Sequence, residues 1–171
     1  YSLFFIPEPN ERAQNISKQN QTEKNTDTPS LDKKETIIQI SREQAITQND
    51  RIQFENQNLI GSISLKGASI DDLTFKKYNV SLNTNEKVTL LNPTNVKDGY
   101  LLESAFVTSD KDIDIPNSET IWSTKGNSKL TDQSPIILIW NNDQGITFEK
   151  EISLDDQYLF TIKQRVINNT N

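Results

Sequence analysis

The sequence contains no cysteine, no histidine and no methionine. Without cysteine there is no disulfide framework and no thiolate to act as nucleophile or metal ligand. The missing histidine removes the commonest general base and the commonest metal ligand. It also leaves the serines without the partner that a Ser-His-Asp triad requires. Basic residues are short as well: 18 Lys and Arg stand against 24 Asp and Glu, for a net charge of −6. No basic patch is available to neutralise phosphates, which argues against a nucleic-acid partner. Hydrophobic residues make up only 33% of the chain, and the mean hydropathy is −0.68. That is low for a chain folded throughout and predicts an unfolded portion. The lack of an initiator methionine leads us to expect a piece of a longer protein. No long helical period and no internal repeat interrupts this picture.

What is present divides into three parts. Residues 1–6, YSLFFI, are too few to cross a bilayer, which needs about 20. They fit either the outer end of a spanning helix, with aromatic rings at the headgroups, or an apolar disordered terminus. Pro7 and Pro9 would stop such a helix. Residues 7–35 are rich in Asn, Gln, Thr, Ser and Lys, with only scattered Ala13, Ile16 and Leu31. This composition cannot bury enough apolar surface to offset its ordering entropy, so the expectation is a disordered tether. The triplets at Asn15 and Asn20 match the glycosylation pattern, as chance supplies in an Asn-rich segment.

Residues 36–171 read as folded, starting with Ile37, Ile38 and Ile40. The organising stretch is 59–78, LIGSISLKGASIDDLTFKKY. Leu59, Gly61, Ile63 and Leu65 alternate with Ile60, Ser62, Ser64 and Lys66. Gly67 offers a bend, Asp71 and Asp72 break the phase, and Leu73 and Phe75 resume alternation. Further strands are expected at 88–91, 100–107 and from Ile121, with turns at Asp98-Gly99 and Lys125-Gly126-Asn127. The continuous apolar run 135–140 predicts a strand covered on both faces. A hairpin loop at 141–145 leads to Ile146, Phe148 and Ile152, alternating with Thr147, Glu149 and Glu151. Tyr158, Phe160, Ile162 and Val166 alternate in a last strand. Short strands with frequent turns mean an all-β antiparallel sandwich.

Each candidate site also has a structural reading. Asp110, Asp112 and Asp114 open like a calcium loop, but Ile115 and Ile121 stand where glycine and glutamate belong, so a solvated loop is expected. The pairs Asp71-Asp72 and Asp155-Asp156 could serve as general acid and base. Neighbours on a strand point to opposite faces, which favours turn chemistry for both pairs. Trp122 and Trp140 could stack on a sugar, yet aromatics within strand patterns usually belong to the core. We therefore expect no catalytic, cofactor-binding or metal-ligating residue.

The stretch GSISLKGASIDDLTFKKY at 61–78 and the block WNNDQGITFEKEISLDDQYLFTIKQRV at 140–166 together resemble the YidC family of bacterial inner-membrane protein insertases. They match it in order and approximate spacing from residue 50 onward. Ser69 departs from the family pattern, where arginine is expected. The resemblance implies a β-supersandwich of galactose-mutarotase type, facing the periplasm and continuing beyond this chain. It also implies a preceding transmembrane helix and an interaction role without catalysis. The implied partners are the Sec translocon, its accessory SecDF and nascent membrane proteins. The same shape suggests an alternative, a carbohydrate-binding sandwich. An enzymatic version would need histidine, and a binding version would need an exposed Trp122 or Trp140.

Overall fold

The computed structural model describes residues 40–170. The readings of 1–6 as a helix end and 7–35 as a tether lie outside the described residues. So does most of the apolar stretch at Ile37 and Ile38. The described chain runs α1 (Arg42–Ile46), β1 (Arg51–Glu55), β2 (Leu59–Ser64), β3 (Ser69–Asn79), β4 (Lys87–Leu91), β5 (Ser123–Lys125), β6 (Lys129–Leu130), β7 (Ile136–Asn141), β8 (Ile146–Leu154) and β9 (Phe160–Asn168). These strands form a five-stranded sheet, β4-β3-β2-β1-β6, and a four-stranded sheet, β5-β7-β8-β9. All pairings are antiparallel except β1 with β6. The all-β sandwich expected from the alternation is thus the fold.

The core lies between the two sheets. Ile52, Phe54, Leu59, Ile63, Ile70 and Leu73 face inward from the first sheet. Ile136, Leu138, Phe148, Ile152 and Leu154 meet them from the second. Phe54 and Phe160 touch edge to face across the gap, with ring centroids 5.1 Å apart. A polar clasp joins the sheets at one end. Asn56 Nδ2 donates to the carbonyls of Asp155 and Gln157, and Asn58 Nδ2 to those of Asp156 and Gln157. The Asn56 Oδ1 also accepts from the backbone of Asn58 and Leu59, which shapes the β1–β2 turn.

The phase break at Asp71-Asp72 is a β-bulge inside β3, not a turn. Ser62 pairs with Asp72 while Ile63 pairs with Ile70, leaving Asp71 as the extra residue. Ile70 and Leu73 are three apart and would face opposite sides of a regular strand. The bulge turns both into the core. The corner itself falls at Gly67 and Ala68, both with positive φ.

Two other strand expectations are corrected. Residues 100–107 form no regular strand: Tyr100 and Leu102 make single bridges, to Asn92 and Ile70. Beyond them the extended chain crosses the sandwich opening and inserts Phe106 against Trp122 and Phe148. Side-chain insertion, rather than a ladder, explains its apolar pattern. β7 is buried on one face only. Ile136 and Leu138 are enclosed, whereas Ile137 and Ile139 on the outer face are half-buried. A two-layer sandwich has no third layer to cover them. The strand at 88–91, the turn at Asp98-Gly99, the glycine turn at Gly126 and the 140–152 hairpin match the sequence reading.

One element escaped the sequence reading. The five-residue α1 begins with a capping box, in which Ser41 Oγ accepts from the Gln44 N–H and Gln44 Oε1 accepts from the Ser41 N–H. The Ser-x-x-Gln spacing was its signal.

Candidate functional site

Three of the depressions on the described surface bear on function. The first is a polar groove of about 420 Å³ between the end of α1, the β2–β3 corner and the loop after β4. Its lining includes Arg51 and Asp71, while the adjacent Asp72 lies outside it. Arg51 binds Asp71 and Arg42 binds Asp72, while Ser62 Oγ donates to Asp72 Oδ2 at 2.6 Å. Arg51 Nε also donates to the Ser62 hydroxyl at 2.7 Å. Both carboxylates are buried. Each is therefore held by its own arginine, which corrects the turn-capping role expected for them. Neither is arranged as one half of an acid–base couple. The bulge is what gives both carboxylates charged partners.

The second depression, about 400 Å³, is apolar and lined by Leu59, Leu73, Phe75, Tyr78, Leu90 and Tyr158. Phe75 meets Tyr78 edge to face at 5.6 Å and Tyr158 at 6.0 Å. The neighbouring Tyr78 hydroxyl holds the Tyr158 hydroxyl above its ordinary pKa, with a smaller contribution from desolvation. Tyr78 and Tyr158 are both substantially exposed, as is the neighbouring Leu90. Their rings offer a rigid surface with polar tips.

The third is a cavity of about 370 Å³ beneath the crossing segment 103–106. Phe106, Ile115 and Pro116 give it apolar walls, and Trp122 and Lys150 close it on the side of the second sheet. Lys150 is 2% exposed. It stands on the inner face of β8 in phase with Phe148 and Ile152. Its Nζ donates to Ser104 O at 2.5 Å and lies 5.1 Å from the centre of the Trp122 ring. Burial lowers its pKa, and the nearby Glu103 charge partly opposes that. The sequence alternation puts Ile146, Phe148 and Ile152 on the inward face without singling out Lys150. The same alternation places it there.

The remaining candidates resolve into structure. Trp122 is 2% exposed, and Trp140 is half-buried against Phe148. Trp122 is enclosed in the core, and Trp140 packs against the core's edge with part of its ring in solvent. Asp110, Asp112 and Asp114 lie in a loop, as expected. The Asp110 carboxylate accepts from the Asp112 N–H, and Gln144 ties Asp112 O and Asp114 N to the β7–β8 turn. Among the described residues no group of three acidic side chains converges on a common point. Asp155 caps the β8–β9 turn by accepting from Gln157 and Leu159 N–H groups. Glu149 faces outward as expected but is buried there, between Lys125 at 3.4 Å and Arg165 at 3.2 Å.

Comparison with known proteins agrees with the sandwich. The family model of the YidC periplasmic domain matches residues 51–171. A membrane protein insertase YidC of Pelagibacter ubique is 60% identical over 170 residues, covering 99% of this chain and 30% of that protein. The Brucella suis protein of the same name is 40% identical over 131 residues, covering 76% of this chain and 22% of its own length. In Rickettsia bellii the figures are 41% over 129 residues, 75% and 23%. The chain thus spans between a fifth and a third of these relatives. By the family match over most of its length, joined to the sandwich that carries it, this chain belongs to the YidC periplasmic domain family.

Proposed function

We propose that this chain is the periplasmic portion of an inner-membrane insertase, assisting the insertion and folding of membrane proteins with or without the Sec translocon. The observation that carries the reading is the family match across residues 51–171. The segment contributes an interaction surface and no catalysis. Its buried carboxylates are committed to Arg42 and Arg51, and its inward lysine to the Ser104 carbonyl. In this reading residues 1–6 end the membrane anchor, residues 7–35 give reach, and 36–171 form the first part of the periplasmic sandwich. Its partners are the translocon, its accessory SecDF and nascent membrane proteins. The apolar groove at Tyr78 and Tyr158 is the face with the most exposed aromatic surface to offer them. The carbohydrate-binding alternative is disfavoured, because Trp122 is enclosed in the core and Trp140 is half-buried against it.

The test places a photo-crosslinking residue at Tyr78, Tyr158 or, as an opposite-face control, Lys163, within the full-length protein in inner membranes. Adducts with translocon components or nascent membrane proteins from the two tyrosine positions, and not from Lys163, are the expected result. Equal yields from all three positions, or no adduct from any, would overturn the assignment of that face.

A further inference from the structure

The cavity behind Lys150 has a feature that the interaction role does not use. Eight ion pairs occur among the described residues, and Lys150 takes part in none. It is nonetheless among the largest fully enclosed side chains of the molecule. An ammonium has three hydrogens to donate. One goes to Ser104 O, and the face of Trp122 receives the charge from the side. Among the described residues no carboxylate lies within 4 Å of its Nζ. Holding a cation in such a place costs free energy unless an anion compensates it. An apolar residue in phase with Phe148 and Ile152 would avoid that cost.

The compensation is available from the cavity itself. Lys150, Ser104 and Trp122 all belong to its wall, so the Nζ sits at the boundary of the space. The volume of about 370 Å³ corresponds to roughly a dozen waters at about 30 Å³ each. Phe106, Ile115 and Pro116 make much of the remaining surface apolar. We propose that this cavity binds a small amphipathic anion, an apolar body the size of a medium-chain acyl group with one carboxylate, whose charge pairs with Lys150. Glu103 stands on the rim and acts on Lys150 through space without reaching it. It therefore competes with the incoming carboxylate and sets the affinity.

The probe is sodium hexanoate, titrated calorimetrically into the full chain, with hexanol as the uncharged control. Hexanoate should bind, and hexanol at least ten times more weakly. Lys150→Met should lower hexanoate affinity tenfold or more while leaving hexanol binding in place. Glu103→Gln, on an exposed residue, should tighten hexanoate several-fold, an effect that a purely structural lysine would not produce. If Lys150→Met does not fold, the Glu103→Gln comparison decides: tightening supports the site, and unchanged affinity overturns it. No hexanoate binding, equal binding of acid and alcohol, or full binding by a folded Lys150→Met would each sink the proposal.

Discussion

Gly61 lies directly opposite Phe54 in the β1–β2 ladder, and the Phe54 ring fills the space where a side chain on residue 61 would begin. A Cβ there would stand 2.5 Å from Phe54 Cζ and 2.0 Å from the backbone oxygen of Asp72. Glycine is needed here for room. Its backbone is not in the left-handed region, unlike Gly126 with φ of 91°.

Gly61→Ala should therefore destabilise the fold by about 1–3 kcal/mol, towards the upper end because the nearer obstacle is backbone. Gly126→Ala meets nothing within 4 Å and should cost only the conformational penalty of about 1 kcal/mol. Urea unfolding of both variants checks the order. A larger loss at Gly126 would contradict the crowding argument.

Phe148→Ala and Glu149→Ala separate the two faces of β8. The Phe148 ring is buried against Phe106 and Trp140, so its loss should cost about 3–5 kcal/mol. Glu149 is enclosed, but its partners Lys125 and Arg165 are mostly in solvent and return to water when it is removed. The expected cost is about 1 kcal/mol. Equal losses in denaturant midpoint would mean that the register of this strand is wrong by one residue.

Asn56→Ala should remove four hydrogen bonds at once: two to the β8–β9 turn and two from the backbone of Asn58 and Leu59. The buried N–H groups left behind put the cost at about 1–3 kcal/mol. Asn56→Asp keeps the acceptor for those N–H groups but sets a carboxylate against two carbonyl oxygens. It should also destabilise, and the loss should shrink as the carboxylate is protonated at acid pH. A stable Asn56→Asp protein near neutrality would show that the clasp carries little.

Lys150 gives a pH signature. Its native pKa is depressed by burial below the ordinary value of 10.5. Between those two values the unfolded chain holds the proton and the native chain does not, so stability rises with pH across that window. The contribution is fully present above 10.5 and is lost as pH falls through the native value. Lys150→Met should lack this slope and should match or exceed the wild type near neutral pH. Denaturation of both proteins across that range, compared by difference, cancels the other groups that titrate there. Parallel curves would show that the native lysine keeps its ordinary pKa.

The sequence by itself determined the sandwich and most of its strands. Alternation at Leu59, Gly61 and Ile63, and at Ile146, Phe148 and Ile152, assigns inward and outward faces because a strand repeats every two residues. It also determined the turns, since Gly126, Gly145 and Asp98 adopt positive φ where the sequence puts glycine or aspartate. The family was legible in the two blocks at 61–78 and 140–166, which the match over 51–171 contains. Only the tertiary structure decided what the anomalies meant. The break at Asp71-Asp72 could be a turn or a bulge, and the arginines that settle it, Arg42 and Arg51, come from earlier elements. The apolar pattern of 100–107 could be a ladder or an inserted chain, because Phe106 needs a partner in either case. Lys150 could end an inward face or interrupt it, and its burial follows from the crossing segment that supplies the Ser104 carbonyl, 46 residues away. Local periodicity fixes which way a side chain points, but partners distant in sequence fix what it meets there.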